Sequence, residues 1–179
     1  MSFITPKEIV HSLNIGPGMT VADFGAGSGH YVFPIAKILG SGGKMYALDI
    51  QKNLLEKIKT EAEEEHLDNV EIIWADLEAE KGARLANSIV DKVLIANLLF
   101  QVPTDKRANV IREAFRVLKV GGEVAVLDWN DVSSLGPSAL QRLTESEAER
   151  IFLENGFVKE KVFPAGDHHY GIIFKKTRD

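Results

Sequence analysis

The chain has 179 residues, a formal net charge of −5 and no cysteine. That length suits one domain with a full hydrophobic core, and the lack of cysteine excludes disulfides, thiolate zinc sites and cysteine nucleophiles. No short window concentrates Lys and Arg, which argues against a nucleic-acid binder that works by neutralising phosphates. The start, Met1-Ser2-Phe3-Ile4-Thr5-Pro6-Lys7-Glu8, lacks the basic region and long apolar core of a secretory signal. No apolar run is long enough to span a bilayer. The expectation is one soluble, cytoplasmic domain over residues 1–179 with no membrane partner.

Short apolar runs alternate with helical patterns. Met19 to Phe24 reads as a strand that ends in glycines, Tyr31 to Leu39 as a helix, and Lys44 to Ile50 as a second strand. Asn53 to Glu65 is helical, with Leu54, Leu55 and Ile58 on one face. The acidic run from Lys59 to His66 is its solvated end. Val70 to Trp74 and Ile89 to Ala96 follow as strands three and four. From Asp105 to Leu118, Ile111, Ala114, Phe115 and Leu118 recur at helical spacing. Thr104 is placed to cap the start and Gly121-Gly122 to end it. Glu123 to Trp129 is a fifth strand. Thr144 and Glu147 form a capping box for a helix ending near Gly156. Phe157 to Phe163 and Tyr170 to Lys175 close the chain as a hairpin, with Pro164 to His169 as the turn.

Strands separated by helix-length segments imply a doubly wound α/β fold with a mostly parallel sheet. Continuous apolar runs such as Val93-Leu94-Ile95-Ala96 and Val124-Ala125-Val126-Leu127 fit strands covered on both faces. The terminal hairpin adds an antiparallel edge.

Gly25, Gly27 and Gly29 stand between the first strand and its helix, where glycine permits a tight turn and lets a ligand approach the backbone. A turn that serves only the fold would use the same residues. The spacing Gly-x-Gly-x-Gly departs from the dinucleotide fingerprint. Asp23 lies two residues earlier, at the end of an apolar strand, where a carboxylate needs a partner. A ligand ammonium would supply one, as would a nearby side-chain donor. Asp49 ends strand two, where an acid can accept both hydroxyls of a ribose. Asp76 follows strand three. Each acid alone is ordinary turn chemistry, but three at consecutive strand ends converge on the binding edge of such a sheet.

With these features the chain resembles the class I S-adenosylmethionine-dependent methyltransferases over nearly its whole length. Val21-Ala22-Asp23-Phe24-Gly25-Ala26-Gly27-Ser28-Gly29 resembles the family's first motif, and Ala47-Leu48-Asp49-Ile50 the acidic end of its second strand. Ala75-Asp76-Leu77 is similar to the adenine-contacting segment, and Asp91 to Asn97 to the fourth motif. Arg116-Val117-Leu118-Lys119-Val120-Gly121-Gly122 is similar to the family's Arg-Val-Leu-Lys-Pro-Gly-Gly, with Val120 replacing the proline. The resemblance implies a Rossmann-like seven-stranded sheet of order 3-2-1-4-5-7-6. It implies S-adenosylmethionine as cofactor and S-adenosylhomocysteine as product. It assigns Asp23, Gly25, Ala26 and Gly27 to the methionine end, Asp49 to the ribose, and Asp76 with Leu77 to the adenine. Ile50 would pack on the adenine ring, and Asn97 would line the inner wall.

Methyl transfer from a sulfonium chiefly needs alignment of nucleophile, carbon and sulfur, with a general base where the nucleophile starts protonated. No catalytic residue is assigned. Asn97-Leu98-Leu99-Phe100-Gln101 lacks the signature of enzymes that methylate exocyclic base amines. Trp129, Asn130 and Asp131 after strand five are further candidates, with rim packing the plainer role for Trp129. His30 touches the site or faces water. His168 and His169 read as exposed turn residues, with no third ligand nearby in sequence for a metal. The short stretches before strand one and from Asn130 to Leu143 predict an open site, closed by substrate, by Phe3-Ile4 or by another subunit. The leading reading is methylation of a small molecule. Methylation of a protein or other macromolecule, a non-catalytic cofactor-binding partner subunit, and a nicotinamide dehydrogenase are the alternatives.

Overall fold

A strand whose successive residues are all apolar must be covered on both faces, and here it is. A computed structural model describes residues 4–131 and 135–178. In chain order its elements are α1 (Pro6–Ser12), β1 (Thr20–Phe24), α2 (Val32–Leu39), β2 (Lys44–Asp49), α3 (Lys52–Glu64) and β3 (Val70–Trp74). There follow β4 (Val90–Ala96), α4 (Arg107–Val117), β5 (Leu118–Trp129), α5 (Glu145–Glu154), β6 (Phe157–Phe163) and β7 (His169–Lys176). The strand order is β3-β2-β1-β4-β5-β7-β6, as the resemblance implied. The first five strands run parallel, and β7 is antiparallel to both its neighbours.

Alternation along the strands feeds two cores. Val21, Leu94, Ala125 and Ile173 pack with α1, α2 and α3. Ala22, Val93, Val124 and Phe174 pack with α4 and α5, where the Phe152 and Phe174 rings stack at 4.4 Å. The same period puts Asp23, Ala96, Leu127, Trp129 and His169 on the α1–α3 side, at the sheet's carboxyl edge. Asp128 falls on the opposite side.

Several local expectations are corrected. Thr104 does not cap α4: the segment before it is a backbone turn in which Lys106 and Arg107 N–H both donate to the Pro103 carbonyl. The Arg107 side chain is buried and donates to the carbonyls of Leu99, Val102 and Gln141, so the helix begins where that clamp is made. Gly121-Gly122 does not cap α4 either. Leu118 is fully buried and already extended (φ −69°, ψ 138°), so the helix stops at Val117. The glycines instead form an irregularity in the β4–β5 pairing, Gly121 at φ +84°. Thr144 accepts a bond from Glu147 N–H at 3.2 Å, but the reciprocal half of the predicted box is not made; Glu147 lies 3.6 Å from Arg107 instead. α1 was not expected. Its signal is present in the sequence: Thr5 and Glu8 form a complete capping box around Pro6.

The loops that frame the carboxyl edge are tied to one another. Buried Asp128 accepts from Trp129 N–H at 2.8 Å and from Phe100 N–H at 3.2 Å, joining the segment after β4 to the end of β5. Burial lifts its carboxyl to about 6, against the pull of these amides and of Arg107.

Candidate active site

The glycine turn is hooked over β2, where Gly25 and Ala26 N–H both donate to the Leu48 carbonyl, at 2.8 and 2.9 Å. Asp49 fastens it from the side. One carboxylate oxygen accepts from Gly27 N–H at 2.9 Å and the other from Gln51 N–H at 2.8 Å. The glycines have different reasons to be there. Gly27 has φ +54° and no atom nearer than 4.0 Å to where a Cβ would stand, so its smallness keeps the turn low beneath open space. Gly29 has φ +84°, and a Cβ would lie 2.6 Å from the Phe33 ring; that glycine serves packing.

A trough with two lobes runs along this edge. One, of about 280 Å³, is walled by Asp49, Ile50, Asp76 and Leu77. The other, of about 520 Å³, is walled by Asp23, His30, Tyr31, Leu127, His169 and Ile4. Gly25, Gly27, Asn97 and Gln101 line both and form the saddle between them. Each predicted position stands on this trough: Ile50, Asp76 and Leu77 in the first lobe with Asp49, Asp23 and Ala26 in the second, Gly25, Gly27 and Asn97 at the saddle. Ile50 is 55% exposed, and Trp74 props its backbone with a 2.9 Å bond from the indole N–H to its carbonyl.

Asp23 dominates the electrostatics. It is 1% exposed, and among the described residues no hydrogen bond reaches its carboxylate. Burial, and then the charge of Asp49, raise it to about 7; burial and the charge of Asp23 in turn push the Tyr31 phenol to about 12. An acid so placed lacks a cation, and an ammonium group in the second lobe would supply it.

The histidine expectation is overturned. His168 and His169 are both largely buried, not exposed turn residues, because β7 begins at His169 and pairs it with Trp129. The His169 ring lies 4.3 Å from that of Trp129, and its Nε2 is 2.9 Å from Asn97 Oδ1. Burial, and then His168, hold His169 below the usual histidine range. Trp129 also carries Gly136 against its ring face, so it packs the rim, while His30 is exposed and meets Tyr31 edge-on. Of the predicted closing segment, Ile4 is buried and walls the second lobe; Phe3 lies outside the described residues. Sequence reasoning missed Gln101, whose side chain donates to the Asn97 carbonyl at 2.7 Å. It also missed the link from Asn97 to His169; neither carries a motif. Among the described residues no group of three or more His, Cys, Asp or Glu gathers as a metal site, and no helix is long and apolar enough to cross a membrane.

A family model described as a methyltransferase domain matches residues 15–166, and the chain belongs to that family. Its fold is that of class I S-adenosylmethionine-dependent methyltransferases, whose cofactor is S-adenosylmethionine. The demethylmenaquinone methyltransferase of Lactococcus lactis is 32% identical over 114 residues, which are 62% of this chain and 42% of that one. That of Geobacillus is 26% identical over 73% of this chain and 53% of its own length. The chain spans about half the length of these curated relatives. The crystal structure of a SAM-dependent methyltransferase from Aquifex aeolicus superposes with a TM-score of 0.86 at 24% identity, covering 96% of this chain and 89% of that one.

Proposed function

We propose that the chain transfers the methyl group of S-adenosylmethionine to a small, uncharged acceptor seated in the lobe of Tyr31, Leu127 and His169. The observation that carries this reading is Asp23: a carboxylate buried in the wall of the acceptor lobe beside the glycine turn, with no hydrogen-bond partner among the described residues. In this reading Asp23 holds the cofactor's ammonium, and Gly25, Ala26 and Gly27 admit its methionine end close to the backbone. Asp49 accepts from the ribose hydroxyls with the lone pairs left after its bonds to Gly27 and Gln51. Asp76 and Leu77 meet the adenine, Ile50 lies on its face, and Asn97 forms the inner wall. The bound cofactor supplies an electrophilic methyl on a sulfonium. The chain's own task is to align the acceptor with it and to keep water out.

No Lys or Arg lines the acceptor lobe among the described residues, whereas Asp23 and two histidines do. This favours a neutral acceptor over a phosphate or carboxylate. The relatives' name, demethylmenaquinone methyltransferase, adds a candidate class: a lipophilic quinone. A quinone ring is electron-poor, so the competent form is its two-electron-reduced hydroquinone. The ring carbon forms the new bond to the methyl, the carbon–sulfur bond breaks toward sulfur, and the ring gives up a proton. In this reading His30, exposed on this lobe, takes that proton.

Calorimetry with S-adenosylhomocysteine and with NAD tests the cofactor; tritiated methyl transfer to a dithionite-reduced, short-chain demethylnaphthoquinone tests the acceptor. Binding of the former alone and label in the quinone support the reading. No binding of S-adenosylhomocysteine defeats it, and label only in protein from a fractionated extract moves the acceptor to a macromolecule.

A further inference from the structure

Asn97 is the residue through which the two lobes communicate, and its shape is constrained from three directions. Its backbone is left-handed (φ +53°), which Asn tolerates better than most residues, and its N–H donates to the Leu127 carbonyl at 2.8 Å. Its carbonyl accepts from the Gln101 amide at 2.7 Å. Its side-chain oxygen faces His169 Nε2 at 2.9 Å. An amide oxygen only accepts, so with that oxygen on the ring Nε2 carries the proton in the contact. The oxygen is turned to the β7 side, so what Asn97 offers the trough is its NH2. Among the described residues no acceptor meets that NH2.

The His169 ring is itself held. It lies against Trp129, its strand partner, and Trp129 is fixed between that ring and Gly136. Burial, and then His168, disfavour charge on the imidazole and hold it below the usual histidine range. A chain of packed groups thus runs from the rim of the sheet to the saddle of the trough.

We infer that His169 is a positioning residue for methyl transfer: its Nε2–H locks the Asn97 amide so that Nδ2–H donates to an oxygen of the acceptor. This rests on the proposed acceptor lobe and adds a requirement to it. The acceptor must carry an oxygen able to accept a hydrogen bond beside the carbon or heteroatom that is methylated. A hydroquinone or phenol meets that; an amine without such an oxygen does not. A donated hydrogen bond holds that oxygen and so fixes the line along which the reacting atom meets the methyl; it serves alignment, so its effect falls on turnover more than on binding.

Three variants separate this from a structural role. His169→Phe keeps a ring against Trp129 and removes the donor. His169→Gln keeps an N–H where Nε2 stood. Asn97→Asp keeps the acceptor for His169 and the left-handed backbone but removes NH2. With the reduced demethylnaphthoquinone probe, His169→Phe and Asn97→Asp should lower kcat tenfold or more while KM for the probe shifts less than threefold. His169→Phe should keep its affinity for S-adenosylhomocysteine within twofold of wild type. His169→Gln should recover kcat to within threefold of wild type. Unchanged kcat in His169→Phe, or no recovery in a folded His169→Gln, overturns the inference.

If the wild-type chain does not methylate the probe, that counts against the quinol acceptor, and nitrogen NMR of the S-adenosylhomocysteine complex decides on His169. A Nε2-protonated ring, with Asn97 side-chain amide signals that move in His169→Phe, upholds the positioning role. A Nδ1-protonated ring, or Asn97 signals indifferent to His169→Phe, overturns it.

Discussion

Asp23 gives the sharpest test of the cofactor end. Its carboxyl is raised from 3.8 to about 7 by burial and by the charge of Asp49. Below pH 7 the free protein therefore holds a proton there, while a ligand ammonium requires the carboxylate. Binding must expel that proton, so affinity for S-adenosylhomocysteine should rise with pH and level off just above 7. Between pH 5 and pH 7.5 the proton competition amounts to about 80-fold in Kd, taking a pKa of about 7 in the free chain. An acid at its ordinary value would give almost no change over that range. Stability should move in the opposite direction. The protonated acid favours the folded state fully below about pH 4, and that advantage is lost as pH rises to about 7. The penalty for ionising it in the folded chain approaches about 4 kcal/mol, at about 1.4 kcal/mol per tenfold. Calorimetric titration across this range, with urea unfolding of the ligand-free protein alongside, measures both. Asp23→Asn should bind weakly at every pH and lose both dependences. A pH-independent Kd in the wild type would refute the assignment of the ammonium to Asp23.

The sheet was legible because it is written redundantly. Val93 to Ala96 and Val124 to Leu127 fit doubly covered strands, and the helix-length spacers between strands imply parallel crossovers. The location of the candidate site was legible in a similar way: strand ends are marked by Asp23, Asp49 and Asp76, which break otherwise apolar runs and line one trough. What failed were features decided by side chains distant in sequence. The start of α4 is set by Arg107 reaching carbonyls at Leu99, Val102 and Gln141, which no capping rule contains. Gly121-Gly122 carries the composition of a helix stop, but burial of Leu118 in the sheet claims the chain three residues earlier. His168-His169 looked like a polar turn because nothing local shows that β7 runs back beside β5 and delivers His169 to Asn97, 72 positions away. The lobe proposed for the acceptor is assembled from Ile4 ahead of α1, the glycine turn with His30 and Tyr31, the ends of β1, β4 and β5, and the start of β7, so no contiguous motif encodes it.

The remaining expectations are more local. Asp49→Ala removes the anchor of Gly27 and Gln51 together with the ribose acceptor, and should weaken S-adenosylhomocysteine binding by roughly 1–3 kcal/mol in calorimetry; wild-type affinity in a folded variant would refute the ribose role. Gly27→Ala meets open space and should cost only about 1 kcal/mol of stability, for its left-handed backbone, while cutting cofactor affinity tenfold or more. Gly29→Ala drives a methyl into Phe33 and should lose roughly 2–4 kcal/mol in urea unfolding; the reverse order of stability loss would show that the two glycines have been assigned the wrong tasks. Glu113 shows how the far side of the sheet supports the site. Its buried carboxylate accepts from Lys81 and Ala83 N–H at 3.1 and 2.9 Å and from two nitrogens of Arg116 at 2.9 and 2.8 Å, fixing the loop that follows Asp76. Burial alone would raise this acid, but the Arg116 guanidinium and the two amides outweigh it and hold it below 4.5. Its contribution to stability is therefore present above pH 4.5 and is lost as pH falls through its lower folded value. Glu113→Ala leaves Arg116 and two amides without their acceptor and should cost about 3–5 kcal/mol. Glu113→Gln should flatten the acid limb of the stability profile, so an acid limb identical to wild type would show that Glu113 does not brace this loop.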